Sequence, residues 1–82
     1  MLKSLLTGPV TDICFSPNEK YIAICYDKTL KIWELETGKL VKSLQGHEDE
    51  INSVKFSPNG EYIVSGSSDK KVKIWNMNSS NK

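Results

Sequence analysis

The stretch Gly46-His47-Glu48-Asp49-Glu50-Ile51-Asn52-Ser53-Val54-Lys55-Phe56-Ser57-Pro58-Asn59-Gly60-Glu61-Tyr62-Ile63-Val64-Ser65-Gly66-Ser67-Ser68-Asp69-Lys70-Lys71-Val72-Lys73-Ile74-Trp75 decides how this chain is read. Three short runs rich in β-branched and aromatic residues are separated by turn signals at Ser57-Pro58-Asn59-Gly60 and around Asp69. A weaker copy lies upstream. Shifted by about forty residues, Phe15-Ser16-Pro17-Asn18 falls on Phe56-Ser57-Pro58-Asn59, and Tyr21-Ile22 on Tyr62-Ile63. After a one-residue gap, Asp27-Lys28 falls on Asp69-Lys70 and Lys31-Ile32-Trp33 on Lys73-Ile74-Trp75. A repeat of this length is one supersecondary unit that must stack on its neighbours to bury its apolar faces.

The rest of the chain fills in around the two copies. Met1–Leu6 reads as a short strand, and its Leu2-Lys3-Ser4-Leu5 resembles Val41-Lys42-Ser43-Leu44. Thr7-Gly8-Pro9 is a turn. Val10–Phe15 is a β-type run, and Tyr21–Tyr26 is nearly continuous apolar sequence, as in a strand buried on both faces. Leu30-Lys31-Ile32-Trp33 alternates with period two, and Thr37-Gly38 turns the chain before Lys39–Leu44.

Composition narrows the function classes. With 82 residues the chain is at most one small domain, near the size where a single core is marginal. Hydrophobic content of 38% and charged content of 26% suit a soluble globular chain and not a disordered one. A net charge of +1 gives no electrostatic case for nucleic acid or a membrane surface. No apolar run is long enough to span a bilayer, and Met1–Leu6 is too short for a secretion signal. Cys14 and Cys25 fit no zinc or CxxC spacing, so both are expected reduced, in an intracellular protein, cytoplasmic or nuclear.

Gly46-His47, Phe56-Ser57-Pro58-Asn59-Gly60, Ser65-Gly66-Ser67-Ser68-Asp69 and Val72-Lys73-Ile74-Trp75 resemble the WD-repeat family of β-propellers. The resemblance implies an all-β fold of two antiparallel four-stranded-type blades in an incomplete ring. In that family each repeat supplies the outer strand of one blade and the three inner strands of the next. Residues 1–9 are then an outer strand and turn, 10–44 a degenerate first blade, 45–77 the second repeat and 78–82 a polar tail. Lys39–Leu44 is the outer strand of the first blade. Its inner strands are Val10–Phe15, Lys20–Cys25 and Thr29–Glu34, and those of the second are Ile51–Phe56, Glu61–Gly66 and Lys70–Asn76. The departures fall mainly in the first repeat, which lacks Gly-His. Its second strand reads one residue short, with Ala23 or Ile24 where the other has Ser65. The Asp that usually follows the Trp is Glu34 in one copy and Asn76 in the other.

Ser65, His47 and Asp69 are the residue types of a hydrolase triad, but no Gly-x-Ser-x-Gly elbow surrounds Ser65. The resemblance implies instead a buried hydrogen-bond network of His47, Ser65, Asp69 and Trp75, with Asp27 and Trp33 as first-repeat counterparts. Both tryptophans end alternating strands and read as core anchors rather than ligand-stacking surfaces. Ser16-Pro17 and Ser57-Pro58 recur at one repeat position, so a turn explains them better than a kinase site. Glu48-Asp49-Glu50 reads equally as a solvated loop or an acidic contact, and Asn78-Ser79-Ser80 as an ordinary polar tail despite its glycosylation pattern. No catalytic, metal or cofactor pattern is present.

By resemblance, the chain is a non-catalytic scaffold that binds proteins or peptides on a rim of the disc. Carried over by position, the contact residues are Pro9, Thr11 and Tyr26 in the first blade and Glu50, Asn52 and Ser68 in the second. An aromatic beside a turn makes Tyr26 the leading anchor. Because two blades leave two sheet faces open, the chain is expected to belong to a larger propeller or to assemble into one. Three or four chains joined head to tail would give six or eight blades. The alternative is a purely structural, self-assembling blade module with no separate ligand.

Overall fold

A computed structural model describes residues 9–77. Seven strands follow in order: β1 (Asp12–Phe15), β2 (Tyr21–Tyr26), β3 (Thr29–Glu34), β4 (Leu40–Gln45), β5 (Ile51–Phe56), β6 (Tyr62–Ser67) and β7 (Val72–Asn76). They form two antiparallel sheets, β1-β2-β3-β4 and β5-β6-β7, each a simple meander. The segments Met1–Leu6 and Asn78-Ser79-Ser80, and most of the Thr7-Gly8-Pro9 turn, lie outside the described residues. Val10 precedes β1, and β7 starts at Val72 rather than Lys70.

Both Ser-Pro-Asn turns close by the same bonds, because the same side chains stand at the same places. Ser16 Oγ donates to Asn18 Oδ1 at 2.6 Å and accepts from the Tyr21 N–H at 3.0 Å. Ser57 Oγ does likewise with Asn59 at 2.7 Å and Tyr62 at 3.0 Å. The Asn carboxamide oxygens take the N–H groups of Lys20 and Glu61, each at 3.0 Å. One position differs. The left-handed residue of the second turn is Gly60 (φ 76°), whereas the first turn places Glu19 there (φ 62°).

Register corrects one expectation. The second strands of both sheets have six residues, so the residue missing from the first repeat comes out of the turn and not the strand. Tyr26 pairs with Thr29 across Asp27-Lys28, and Asp27 takes a left-handed φ of 53°, which Asp tolerates better than most residues. Ile24 stands opposite Ile13 and Lys31 as Ser65 stands opposite Val54 and Lys73. Ile24, not Ala23, therefore holds the serine's place.

The core lies between the sheets. β5 packs against β1 and β2, and one cluster joins Ala23, Cys25, Leu30, Ile32 and Leu44 to Ile51, Val54 and Ile63. Alternation puts these side chains on facing surfaces, and burying each large one contributes about 1.5–3 kcal/mol. Polar bonds fix the alignment. Val54 N–H donates to Asp12 Oδ2 at 3.0 Å, Thr11 Oγ1 donates to the Ile51 carbonyl at 2.7 Å, and Ile51 N–H donates to the Asp27 carbonyl at 2.7 Å.

Candidate functional site

Four side chains from four segments meet inside the second sheet. The loop after β4 brings His47, β6 brings Ser65, the β6–β7 turn brings Asp69 and β7 brings Trp75. His47 Nδ1 is 2.9 Å from Asp69 Oδ2, His47 Nε2 is 2.8 Å from Ser65 Oγ, and Trp75 Nε1 donates to Ser65 Oγ at 3.0 Å. With Asp69 ionised, Nδ1 carries the proton and Nε2 accepts from the serine hydroxyl, so every member is satisfied. The imidazole also meets the Trp75 ring edge to face, with centroids 6.4 Å apart. Gly46 lies close beside it, and a Cβ there would come within 3.3 Å of Trp75 Cη2, a tight contact.

Asp69 fastens two loops at once. Its Oδ2 takes the Glu48 N–H and its Oδ1 the Lys71 N–H, both at 2.9 Å. Burial acts to raise its pKa, but the bonds from the Glu48 N–H, His47 and the Lys71 N–H prevail and hold the carboxyl well below the usual 3.8. Asp69, His47 and Ser65 are ordered as in a hydrolase relay, yet Ser65 is fully buried and its Oγ already accepts from Trp75. No substrate carbonyl can reach that oxygen.

The first sheet lacks this arrangement, which corrects the expectation placed on Asp27 and Trp33. Trp33 Nε1 is buried without a hydrogen-bond partner among the described residues. The cause is local: Ile24 puts an alkyl group where Ser65 puts a hydroxyl, and no histidine precedes β1 as His47 precedes β5.

The candidate contact residues gather at the end of the sheets where β1 and β5 start and β2 and β6 finish. Pro9, Thr11, Glu50, Asn52 and Ser68 are exposed and Tyr26 is half-buried. Asn52 Nδ2 donates to Ser68 Oγ at 2.9 Å, and the Ser68 N–H donates to the Glu50 carbonyl at 2.9 Å. Lys31 Nζ sits 5.7 Å from the centre of the Tyr26 ring. The Thr11 hydroxyl is engaged between the sheets, a role that sequence reasoning missed along with that of Asp12. The acidic Glu48-Asp49-Glu50 loop is exposed beside this rim and held by Ser67 Oγ, which reaches the Asp49 and Glu50 carbonyls at 3.0 and 2.8 Å. Cys14 and Cys25 are free thiols, and burial pushes the Cys25 thiol up. No cluster of metal-ligating side chains occurs among the described residues.

Two antiparallel meanders, packed face to face through their first strands, the second pinned by an Asp-His-Ser-Trp relay, are blades of a β-propeller. The family described as "WD domain, G-beta repeat" matches residues 2–34 and 38–76, and the chain belongs to it. A guanine nucleotide-binding protein subunit beta from Schizosaccharomyces pombe is 33% identical over 69 residues, covering 84% of this chain and 23% of the relative. The small ribosomal subunit protein RACK1 of Drosophila melanogaster is 38% identical over 75 residues, covering 88% and 24%. Human WD repeat and SOCS box-containing protein 1 is 36% identical over 74 residues, covering 87% and 18%. The chain thus spans about a quarter or less of the length of these relatives.

Proposed function

We propose that this chain is a non-catalytic protein-interaction module of intracellular location that works as part of a closed propeller. It binds a protein or peptide at the rim formed by Pro9, Thr11, Tyr26, Glu50, Asn52 and Ser68. The observation that carries the reading is the convergence of these residues from both blades at one end of the sheets. Two relatives are named as components of assemblies, a subunit of a guanine nucleotide-binding protein and a small ribosomal subunit protein, which accords with a scaffold. The buried Ser65 argues against hydrolysis at the Asp69-His47-Ser65 relay, and the free thiols accord with a reducing compartment.

Photo-crosslinking tests the rim. A crosslinking residue at position 26 is expected to capture a discrete protein adduct that the same residue at Lys20, on the opposite rim, does not. Ser68→Arg is expected to abolish the adduct while the β circular dichroism stays unchanged. Equal capture from both positions, or capture insensitive to Ser68→Arg, contradicts the assignment.

A further inference from the structure

A pocket of about 400 Å³ opens between the two Ser-Pro-Asn turns, on the rim opposite Tyr26 and Ser68. Its volume lies in the range of pockets that seat a ligand. Both blades build it: the first contributes Pro17, Asn18 and Val41, the second Asn59, Glu61 and Met77. A Cβ on Gly60 would stand 3.5 Å from Pro17 Cδ, so the two turns lie side by side. Val41 reaches the pocket through an irregularity of its strand. Ile32 stands opposite Lys42 and Trp33 opposite Leu40, which leaves Val41 as the extra residue of a register shift. Such a bulge re-aims a side chain. Val41 is 43% exposed and lines the pocket, whereas Lys42 reaches the Asn76 carbonyl at 3.4 Å and lies outside the lining.

The polar groups of the lining define what fits. Asn18 Oδ1 is spent on the Ser16 hydroxyl and the Lys20 N–H, and Asn59 Oδ1 on the Ser57 hydroxyl and the Glu61 N–H. These bonds fix both carboxamides and leave each NH2 group as a donor without a partner among the described residues. Glu61 is the charged side chain in the lining; it is exposed and pairs with no cation among the described residues. A free anion is therefore repelled by Glu61, and a purely apolar molecule leaves the donors and the carboxylate unpaired. A ligand that offers carbonyl oxygens, a cation and an apolar group together satisfies every part.

We propose that this pocket binds a short peptide segment in which an apolar side chain neighbours a lysine or arginine. The apolar side chain packs on Pro17, Val41 and Met77, where the unbranched methionine adapts to its shape. The cation pairs with Glu61, and backbone carbonyls of the peptide accept from the NH2 groups of Asn18 and Asn59. The site is separate from the rim assigned above. It lies at the other end of the strands, shares no residue with that rim, and does not include Lys20.

A phage library of random heptapeptides, panned on the 82-residue chain, tests the site. Binding of the enriched peptides is then measured by fluorescence anisotropy on wild type, Glu61→Lys and Val41→Asp. Both side chains are exposed, so both variants are expected to keep the β circular dichroism of the wild type. The expected peptides set an apolar residue beside a lysine or arginine, and each variant is expected to weaken them about tenfold or more. Ser68→Arg, at the opposite rim, is expected to leave their affinity unchanged. Exchanging the peptide's basic residue for glutamate reads the same contact on the wild-type chain: affinity is expected to fall there and to recover on Glu61→Lys. Failure to enrich any peptide overturns the proposal, as does enrichment of acidic or uncharged peptides alone. So does an affinity that Glu61→Lys leaves unchanged, or one that Ser68→Arg abolishes.

Discussion

Ile24 and Ser65 hold one position in two copies of the same sheet: Ile24 lies opposite Lys31 and Ser65 opposite Lys73, one strand away from Trp33 and Trp75 respectively. The serine gives its tryptophan a hydrogen-bond acceptor and the isoleucine does not. One side chain thus decides whether the tryptophan finds an acceptor on the neighbouring strand or has none among the described residues.

Ile24→Ser is therefore expected to behave unlike an ordinary core truncation. Removing the alkyl group costs about 2–5 kcal/mol, as Ile24→Ala would show. The new hydroxyl offers Trp33 Nε1 an acceptor, so Ile24→Ser is expected to be more stable than Ile24→Ala by about 1 kcal/mol. Urea unfolding measures the difference, and the Trp33 indole proton should exchange more slowly in the serine variant.

Ser65→Ala tests the relay from the other side. It strands Trp75 Nε1 and His47 Nε2 in a buried site while deleting only one oxygen. The expected loss is about 1–3 kcal/mol by denaturant unfolding. A change within a few tenths would mean that the relay contributes little.

Acid should weaken the same site. The Asp69 carboxyl is depressed in the folded chain, so it contributes stability above its ordinary value of 3.8 and loses it progressively as the pH falls toward the folded value. Unfolding midpoints are expected to drop steadily below about pH 4 in the wild type. Asp69→Asn should be less stable at neutral pH and show a flatter acid limb.

Glu19→Gly should stabilise the chain. Glu19 adopts the left-handed φ that Gly60 adopts in the matching turn, and its side chain is exposed. The relief of backbone strain outweighs the added freedom of glycine in the unfolded chain, for a net gain of about 0.5–1 kcal/mol. A loss in thermal unfolding would show that Glu19 fits its turn without strain.

Much of the fold was legible because it is written twice. The Ser-Pro-Asn turns, the alternating strands and the Gly-His to Trp spacing each follow from local chemistry, and their recurrence set the strand order. Linear spacing could not place the one-residue gap between Tyr21 and Asp27, because strand and turn lengths trade against each other until pairing fixes them. That left Ala23 and Ile24 as alternatives and paired Trp33 with a network it lacks. The bonds of Thr11 and Asp12 to β5 were illegible for a different reason. They join residues about forty positions apart through orientation alone, and neither residue has a motif.

The central claim is that the two blades share one core centred on their junction, and amide hydrogen exchange on the 82-residue chain tests it most directly. The account predicts that Ile24, Cys25, Leu30 and Ile32 in the first blade and Val54, Ile63 and Ser65 in the second exchange slowest, together, through a single cooperative opening. Rapid, unprotected exchange throughout β5, β6 and β7 beside a protected first blade would contradict it, because the sheets would then be folding without a common core.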